Sequence, residues 1–202
     1  MLEAQDLDCE RGARVLFRAL SFAVGAGQSL RITGANGSGK TSLLRILCGL
    51  LPPTRGSVLW NGTNVAHLRE DYSRKLVYLG HASAIKDDLS AAENLSIACR
   101  LAGDAPEETE VHEALARFGL ARDHCAVKRL SQGQRRRAAL ARLALAEARP
   151  LWLLDEPFAA LDTQGIAILN GLIREHIGRG GALAFTTHQD PGIAASRVIE
   201  LD

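Results

Sequence analysis

The stretch that most constrains this chain is Gly34-Ala35-Asn36-Gly37-Ser38-Gly39-Lys40-Thr41, because few backbones can hold it. It fits the G-x-x-x-x-G-K-[ST] spacing of a phosphate-binding loop, with Gly34, Gly39, Lys40 and Thr41 in the fixed places. Leu30 to Thr33, just before it, reads as a short strand. Leu43, Leu44, Ile46, Leu47 and Leu50, just after it, have the spacing of a helix face that Gly49 and Pro52-Pro53 then stop. Glycines let such a loop wrap tightly with its N–H groups pointing inward at phosphate oxygens. The helix that follows aims the positive end of its dipole at the same place. Lys40 adds a full charge for the β- and γ-phosphates, and the Thr41 hydroxyl can hold Mg²⁺. The alternative is a Gly-rich turn that happens to contain Lys-Thr, and the flanking strand and helix weigh against it.

Composition sets the remaining bounds. With 202 residues, 47% of them hydrophobic, the chain suits one domain, or one domain carrying a sub-domain. Its 24 Lys and Arg offset 23 Asp and Glu, so bulk charge nominates no nucleic acid or other polyanion as partner. Cys9, Cys48, Cys99 and Cys125 show neither a C-x-x-C pair nor zinc spacing, which favours reduced thiols in a cytosolic setting. The polar start, MLEAQDLDCERG, does not read as a signal peptide, and no run of 18 apolar residues exists. If the protein acts at a membrane, a partner is expected to supply the span.

Read in order, residues 2–32 form short β-like runs, with period-2 alternation over Leu20 to Val24. Gly56 to Trp60 is a further strand, closed by an Asn61-Gly62 hairpin turn, and Lys75 to Leu79 is a buried-strand candidate ending at Gly80-His81. A helical block follows. Ser90 and Glu93 have capping-box spacing ahead of a helix to Leu101, and Val111 to Phe118 is a second helix. The acidic residues Glu107, Glu108 and Glu110 are expected on a solvated face. Leu130-Ser131-Gln132-Gly133-Gln134 opens a basic helix running to Glu147. Leu151 to Leu154 is a continuous apolar strand, Gln164 to Ile177 a helix, Ala182 to Thr187 a strand, and Val198 to Leu201 the last one. This gives an α/β class with a mostly parallel P-loop ATPase core, an antiparallel N-terminal part and a helical insertion. The expected division is a core of residues 1–87 and 129–202 with a helical sub-domain over 88–128.

Asp155 and Glu156 end the apolar strand, where a phosphate loop needs carboxylates. Asp155 can hold Mg²⁺ through its water shell, and Glu156 can orient or deprotonate the water that attacks the γ-phosphate. The bland reading is a solvated strand end. His188 ends a strand after two threonines and can hydrogen-bond phosphate and water there, although a lone histidine at a strand end is more often structural. Ser131 to Gln134 offers a second anion site at a helix start; since one nucleotide already has its cradle, the site points to a dimer with each chain facing the other's nucleotide. Arg135, Arg136, Arg137 and Arg142 read as a solvated helix face rather than a nucleic-acid patch, because no aromatics interleave them.

The blocks GANGSGKT, LSQGQ, LWLLDEP, Ala160-Leu161-Asp162 and Thr187-His188 stand in the order of an ATP-binding cassette, and the chain resembles that family over essentially its whole length. The resemblance implies ATP and Mg²⁺ as ligands and a head-to-tail homodimer, with Lys40 and Thr41 of one chain facing Ser131 and Gly133 of the other. It makes Glu156 the catalytic carboxylate and His188 the switch histidine. Phrases such as CERGARVLF, LPPTRGSVLWNG, YLGH, LWLLDEPFAALDTQG and GGALAFTTHQ are similar to the haem exporter ATP-binding subunits of bacterial cytochrome c maturation. That narrower likeness implies integral membrane subunits, an indirect role for a haem chaperone, and a peripheral place on the cytoplasmic face of the inner membrane. Three positions depart from the general pattern. Gln132 replaces a glycine, Arg11 falls where many cassettes stack an aromatic on adenine, and His81 takes the place of a Mg²⁺-sensing glutamine. The competing readings are a soluble cassette ATPase acting on ribosomes or DNA, and a small P-loop kinase or GTPase. Such soluble cassettes usually carry two cassettes or a long coiled-coil insertion. LSQGQ argues against the kinase, and the lack of an N-K-x-D guanine motif argues against the GTPase.

Overall fold

The computed structural model describes residues 1–120, 125–188 and 192–202. Residues 121–124 of the expected helical block and Gln189 of the GGALAFTTHQ phrase therefore lie outside the described residues. Two sheets are present. The first is antiparallel, in the order β2-β1-β4-β5, built from β1 (Leu2–Arg11), β2 (Arg14–Val24), β4 (Arg55–Trp60) and β5 (Thr63–Asn64). Asn61 and Gly62 both take positive φ, 50° and 80°, which closes the β4–β5 hairpin in the two residues expected of it.

The second sheet is parallel throughout, in the order β6-β7-β8-β3-β9, from β6 (Leu76–Leu79), β7 (Leu151–Leu154), β8 (Ala182–Thr186), β3 (Ser29–Gly34) and β9 (Arg197–Leu201). Both of its faces are covered, and this explains the unbroken apolar run in β7. Leu151 and Leu153 enter a core shared with the antiparallel sheet and with α1 (Lys40–Leu47). Trp152 and Leu154 enter a second core, closed by α3 (Ala91–Leu101), α4 (Glu108–Arg117), α5 (Gln132–Leu140) and α6 (Thr163–Gly178). Strand β8 divides in the same way, with Ala182 and Ala184 on one side and Leu183 and Phe185 on the other.

Local chemistry sets the helix starts. Ser90 Oγ accepts from the Glu93 N–H while the Glu93 carboxylate accepts from the Ser90 N–H at 2.7 Å, the reciprocal box read from the sequence. Asp162 caps α6 by accepting from the Gly165 N–H.

Three expectations are corrected. A helix the sequence reading lacked, α2 (Val65–Ser73), follows β5, with Asn64 capping it and a kink at Arg69. The basic helix stops at Leu140 rather than Glu147. The chain tightens into a 3₁₀ turn over Ala141–Leu145, which turns Leu140, Ala141 and Leu143 all into the core. The arginines are not a solvated face either: Arg136 is buried, and Arg135 and Arg137 are tied to Asp87 and Asp162. The acidic residues Glu107, Glu108 and Glu110 are exposed, as expected, and the Glu110 carboxylate accepts from the Glu107 N–H to close the start of α4.

Candidate nucleotide site

In a parallel α/β sheet the carboxyl ends of the strands gather ligand-binding loops. Here the loops after β3, β6, β7 and β8 meet in a cleft of about 620 Å³. Asn36, Gly37, Gly39, Lys40 and Thr41 line it from the phosphate loop, His81 from the end of β6, Asp155 and Glu156 from β7, and His188 from β8. The cleft is large enough for a nucleotide, and its walls mix polar and apolar groups.

The phosphate loop is possible only with glycine at its ends. Gly34 has φ 139°, and a Cβ there would lie 2.2 Å from the Leu201 carbonyl oxygen. Gly39 has φ 106° and leads directly into α1, where a Cβ would press on Leu16 and Phe17. Lys40 Nζ reaches back across the loop to donate to the carbonyls of Gly34, at 2.7 Å, and Ala35, at 2.9 Å. Its charge is thus held at the mouth of the loop rather than released to solvent. The Ser38 hydroxyl oxygen is buried and has no hydrogen-bond partner among the described residues. An unpaired polar atom inside a loop of this shape fits an oxygen-rich anion.

The carboxylate pair is fixed by strand register. Leu154 pairs with Phe185, so the next residues, Asp155 and Thr186, fall side by side. The Thr186 hydroxyl donates to Asp155 Oδ1 at 2.8 Å and accepts from the Glu156 N–H at 2.8 Å. Thr41 Oγ1 donates to the other Asp155 oxygen at 2.8 Å, joining the phosphate loop to β7. Asp155 is 1% exposed, and these two hydroxyls are what make a carboxylate tolerable there. Thr41 and Asp155 together present the hard oxygen donors that Mg²⁺ takes. Glu156 stands with φ 47°, a conformation rare for a side-chain-bearing residue. Its Oε2 accepts from the His188 N–H at 3.3 Å, His188 Nε2 lies 3.5 Å from its Oε1, and that Oε1 has no other partner among the described residues. A carboxylate held beside a histidine in the wall of a cleft is suited to accept a proton from water.

Other sequence candidates lie elsewhere. Ser131 and Gly133 start α5 outside this cleft. Ser131 Oγ accepts from the Gln134 N–H, and Gly133 packs 3.0 Å (from a notional Cβ) against the Ala160 carbonyl. Arg11 ends β1 on the surface and does not line the cleft; Leu16, which the sequence reading overlooked, does. Thr186 and Arg136 were overlooked as well. The signal for Thr186 was its place one residue before the Thr187-His188 pair, at the end of a strand neighbouring the carboxylates.

A phosphate loop, a histidine at the end of the adjoining strand and an Asp-Glu pair one strand further define the ATP-binding cassette class of ATPase. The sequence profile of the ABC transporter family matches residues 17–159. The chain belongs to that family and, within it, groups with the cytochrome c biogenesis ATP-binding export proteins. The protein of that name from Dechloromonas aromatica is 50% identical over 202 residues, covering 100% of this chain and 98% of the relative. The one from Aromatoleum aromaticum is 52% identical over 195 residues, 96% and 91% of the two chains. Among solved structures, the ATP-binding subunit of an ABC transporter superposes with a TM-score of 0.80 at 28% identity, over 93% of this chain and 79% of the other. A dimeric cassette in a post-hydrolysis state, bound to ADP and phosphate, gives 0.86 at 24% identity over 100% and 94%, a likeness of fold.

Proposed function

We propose that this chain is the ATP-hydrolysing subunit of a membrane export complex of cytochrome c biogenesis, coupling hydrolysis to haem export and to release of a haem chaperone. The observation that supports this most is identity near one half, along nearly the full chain, with relatives named as cytochrome c biogenesis ATP-binding export proteins. No helix among the described residues is long and apolar enough to cross a membrane. The proposal therefore assigns the crossing to integral membrane subunits and places this chain peripherally on the cytoplasmic face. Two copies sandwich two ATP molecules, the Ser131–Gly133 helix start of each meeting the nucleotide on the other's phosphate loop.

Within one site, Lys40 and the N–H groups of Ala35 to Thr41 bind the β- and γ-phosphates. Thr41 and Asp155 are the residues to hold Mg²⁺, with His81 facing the same cleft, and the ion when bound supplies neutralisation of phosphate charge. Glu156 takes a proton from the attacking water, and His188 orients that carboxylate.

Two measurements on one preparation test this. Affinity-tagged wild-type chain should co-purify with integral membrane proteins, and Glu156→Gln should bind ATP yet hydrolyse it roughly 10²- to 10⁴-fold more slowly. Co-purification with ribosomes or DNA instead would move the chain to the soluble class. Normal turnover by Glu156→Gln would remove that residue from the mechanism.

A further inference from the structure

Arg136 lies on α5, three residues past Gly133, and is only 5% exposed. A buried guanidinium is costly unless its N–H groups find acceptors. This one finds four, all of them backbone carbonyls on two loops that line the nucleotide cleft. Nη1 donates to Gly80 at 3.2 Å and His81 at 3.4 Å, at the end of β6. Nη2 donates to Asp155 at 3.0 Å and Glu156 at 2.7 Å, at the end of β7. Carbonyls take no charge, so the fork is not an ion pair bridging helix to strand. Its planar, fixed geometry instead dictates where two loops stand relative to each other.

The strongest of these bonds goes to the residue whose backbone most needs holding. Glu156 has φ 47°, which costs of order 1–3 kcal/mol and persists only where its surroundings enforce it. The Thr186 hydroxyl grips the Glu156 N–H and Arg136 grips its carbonyl, so the residue is clamped at both ends. Among the described residues its carboxylate is met by His188, through the N–H at 3.3 Å and Nε2 at 3.5 Å. The backbone clamp sets where the side chain starts, and His188 sets where its carboxylate points.

We propose that Arg136 is a positioning residue for hydrolysis: one guanidinium ties the His81 loop to the Asp155–Glu156 turn and holds the Glu156 carboxylate at the angle the attacking water requires. This rests on Glu156 being the base. The segment bearing Ser131 and Gly133 is thereby connected to the carboxylate through its own helix. Arg135 reinforces the same unit, since its ion pair with Asp87 at 2.9 Å fastens the far end of the His81 loop to α5.

The test compares Arg136→Met, which keeps the stem and loses the fork, and Arg136→Lys, which keeps the charge and loses the fork, with Glu156→Gln. Each is measured for stoichiometry and affinity of a fluorescent ATP analogue, and for kcat per bound nucleotide. A misplaced base costs on the order of 10² in rate. Both Arg136 variants should bind the analogue within about twofold of wild type and lose roughly that factor in kcat. Wild-type kcat in Arg136→Met beside an inactive Glu156→Gln would overturn the positioning role and leave the base intact. An active Glu156→Gln would overturn the base itself. Parallel loss of binding and turnover, or failure of both Arg136 variants to fold, would make Arg136 a stability residue and overturn the proposal as well.

Discussion

His176 is buried at the end of α6 and lies flat on Trp152, with ring centroids 4.0 Å apart and planes 9° from parallel. Its Nε2 lies 3.1 Å from the Ala182 carbonyl oxygen. Burial pushes the imidazole below its ordinary pKa, and the Arg179 charge adds to the effect, while the bond to Ala182 opposes it. The folded ring is therefore neutral where an unfolded chain, with a pKa of about 6.5, already takes up a proton. Stability from this residue is complete above that value and is lost as the pH falls through it towards the depressed folded value. Melting temperature measured from pH 8 to 5 should fall on the acid side in the wild type, and His176→Phe should flatten that slope. An equal slope in both would show that His176 is not its source. At this scale the sequence was legible where chemistry is dense. Lys40, Thr41, Asp155 and Glu156 all stand in the cleft, as their motif positions implied. It was misleading for Arg135, Arg136 and Arg137. Successive helix residues turn by 100°, so three in a row cannot share one face, and one of them had to point inward. Leu16 and Thr186 carry no motif; strand pairing brings Thr186 beside Asp155, and packing of the antiparallel sheet over Gly39 brings Leu16 to the site.

Helix α3 begins at a half-reach of chain between the His81 loop and the helical block, and its start depends on one side chain. Ser90 is buried and its hydroxyl caps the Glu93 N–H, so removing it leaves that donor without its cap. Ser90→Ala should cost about 1 kcal/mol, which for a chain of this size lowers the melting temperature by roughly 2–4 °C. An unchanged melting curve would mean that Glu93 alone secures the start. The same element scale explains what was missed. α3, α4 and α6 announce themselves by apolar residues three and four apart. α2 does not, because only Val65 and Tyr72 of its nine residues are buried and Arg69, at φ 43°, breaks its period midway. It is held by Asn64 at its start and by Tyr72, whose hydroxyl donates to the Leu47 carbonyl at 2.6 Å. Neither contact leaves a repeating pattern in the sequence.

For the whole molecule, the separation of Ser131 and Gly133 from the cleft is the property with the largest consequence. If each site is completed by a second copy, mixing Lys40→Ala chains with Gly133→Asp chains creates heterodimers with one sound site and one doubly damaged site. ATPase activity should reappear on mixing two preparations that are each inactive. Activity no greater than the sum of the separate preparations, under conditions where native mass spectrometry detects the heterodimer, would count against composite sites. The double-sided parallel sheet carries a different consequence, for how the molecule comes apart. Strands β7 and β8 send alternate residues into both cores, so they are the common wall of two rooms. Either room can loosen while the wall keeps its backing from the other. The amide protons of Leu151 to Leu154 therefore trade with solvent deuterium only when both cores open together, and the turn that carries Asp155 and Glu156 is anchored to the last part of the protein to melt.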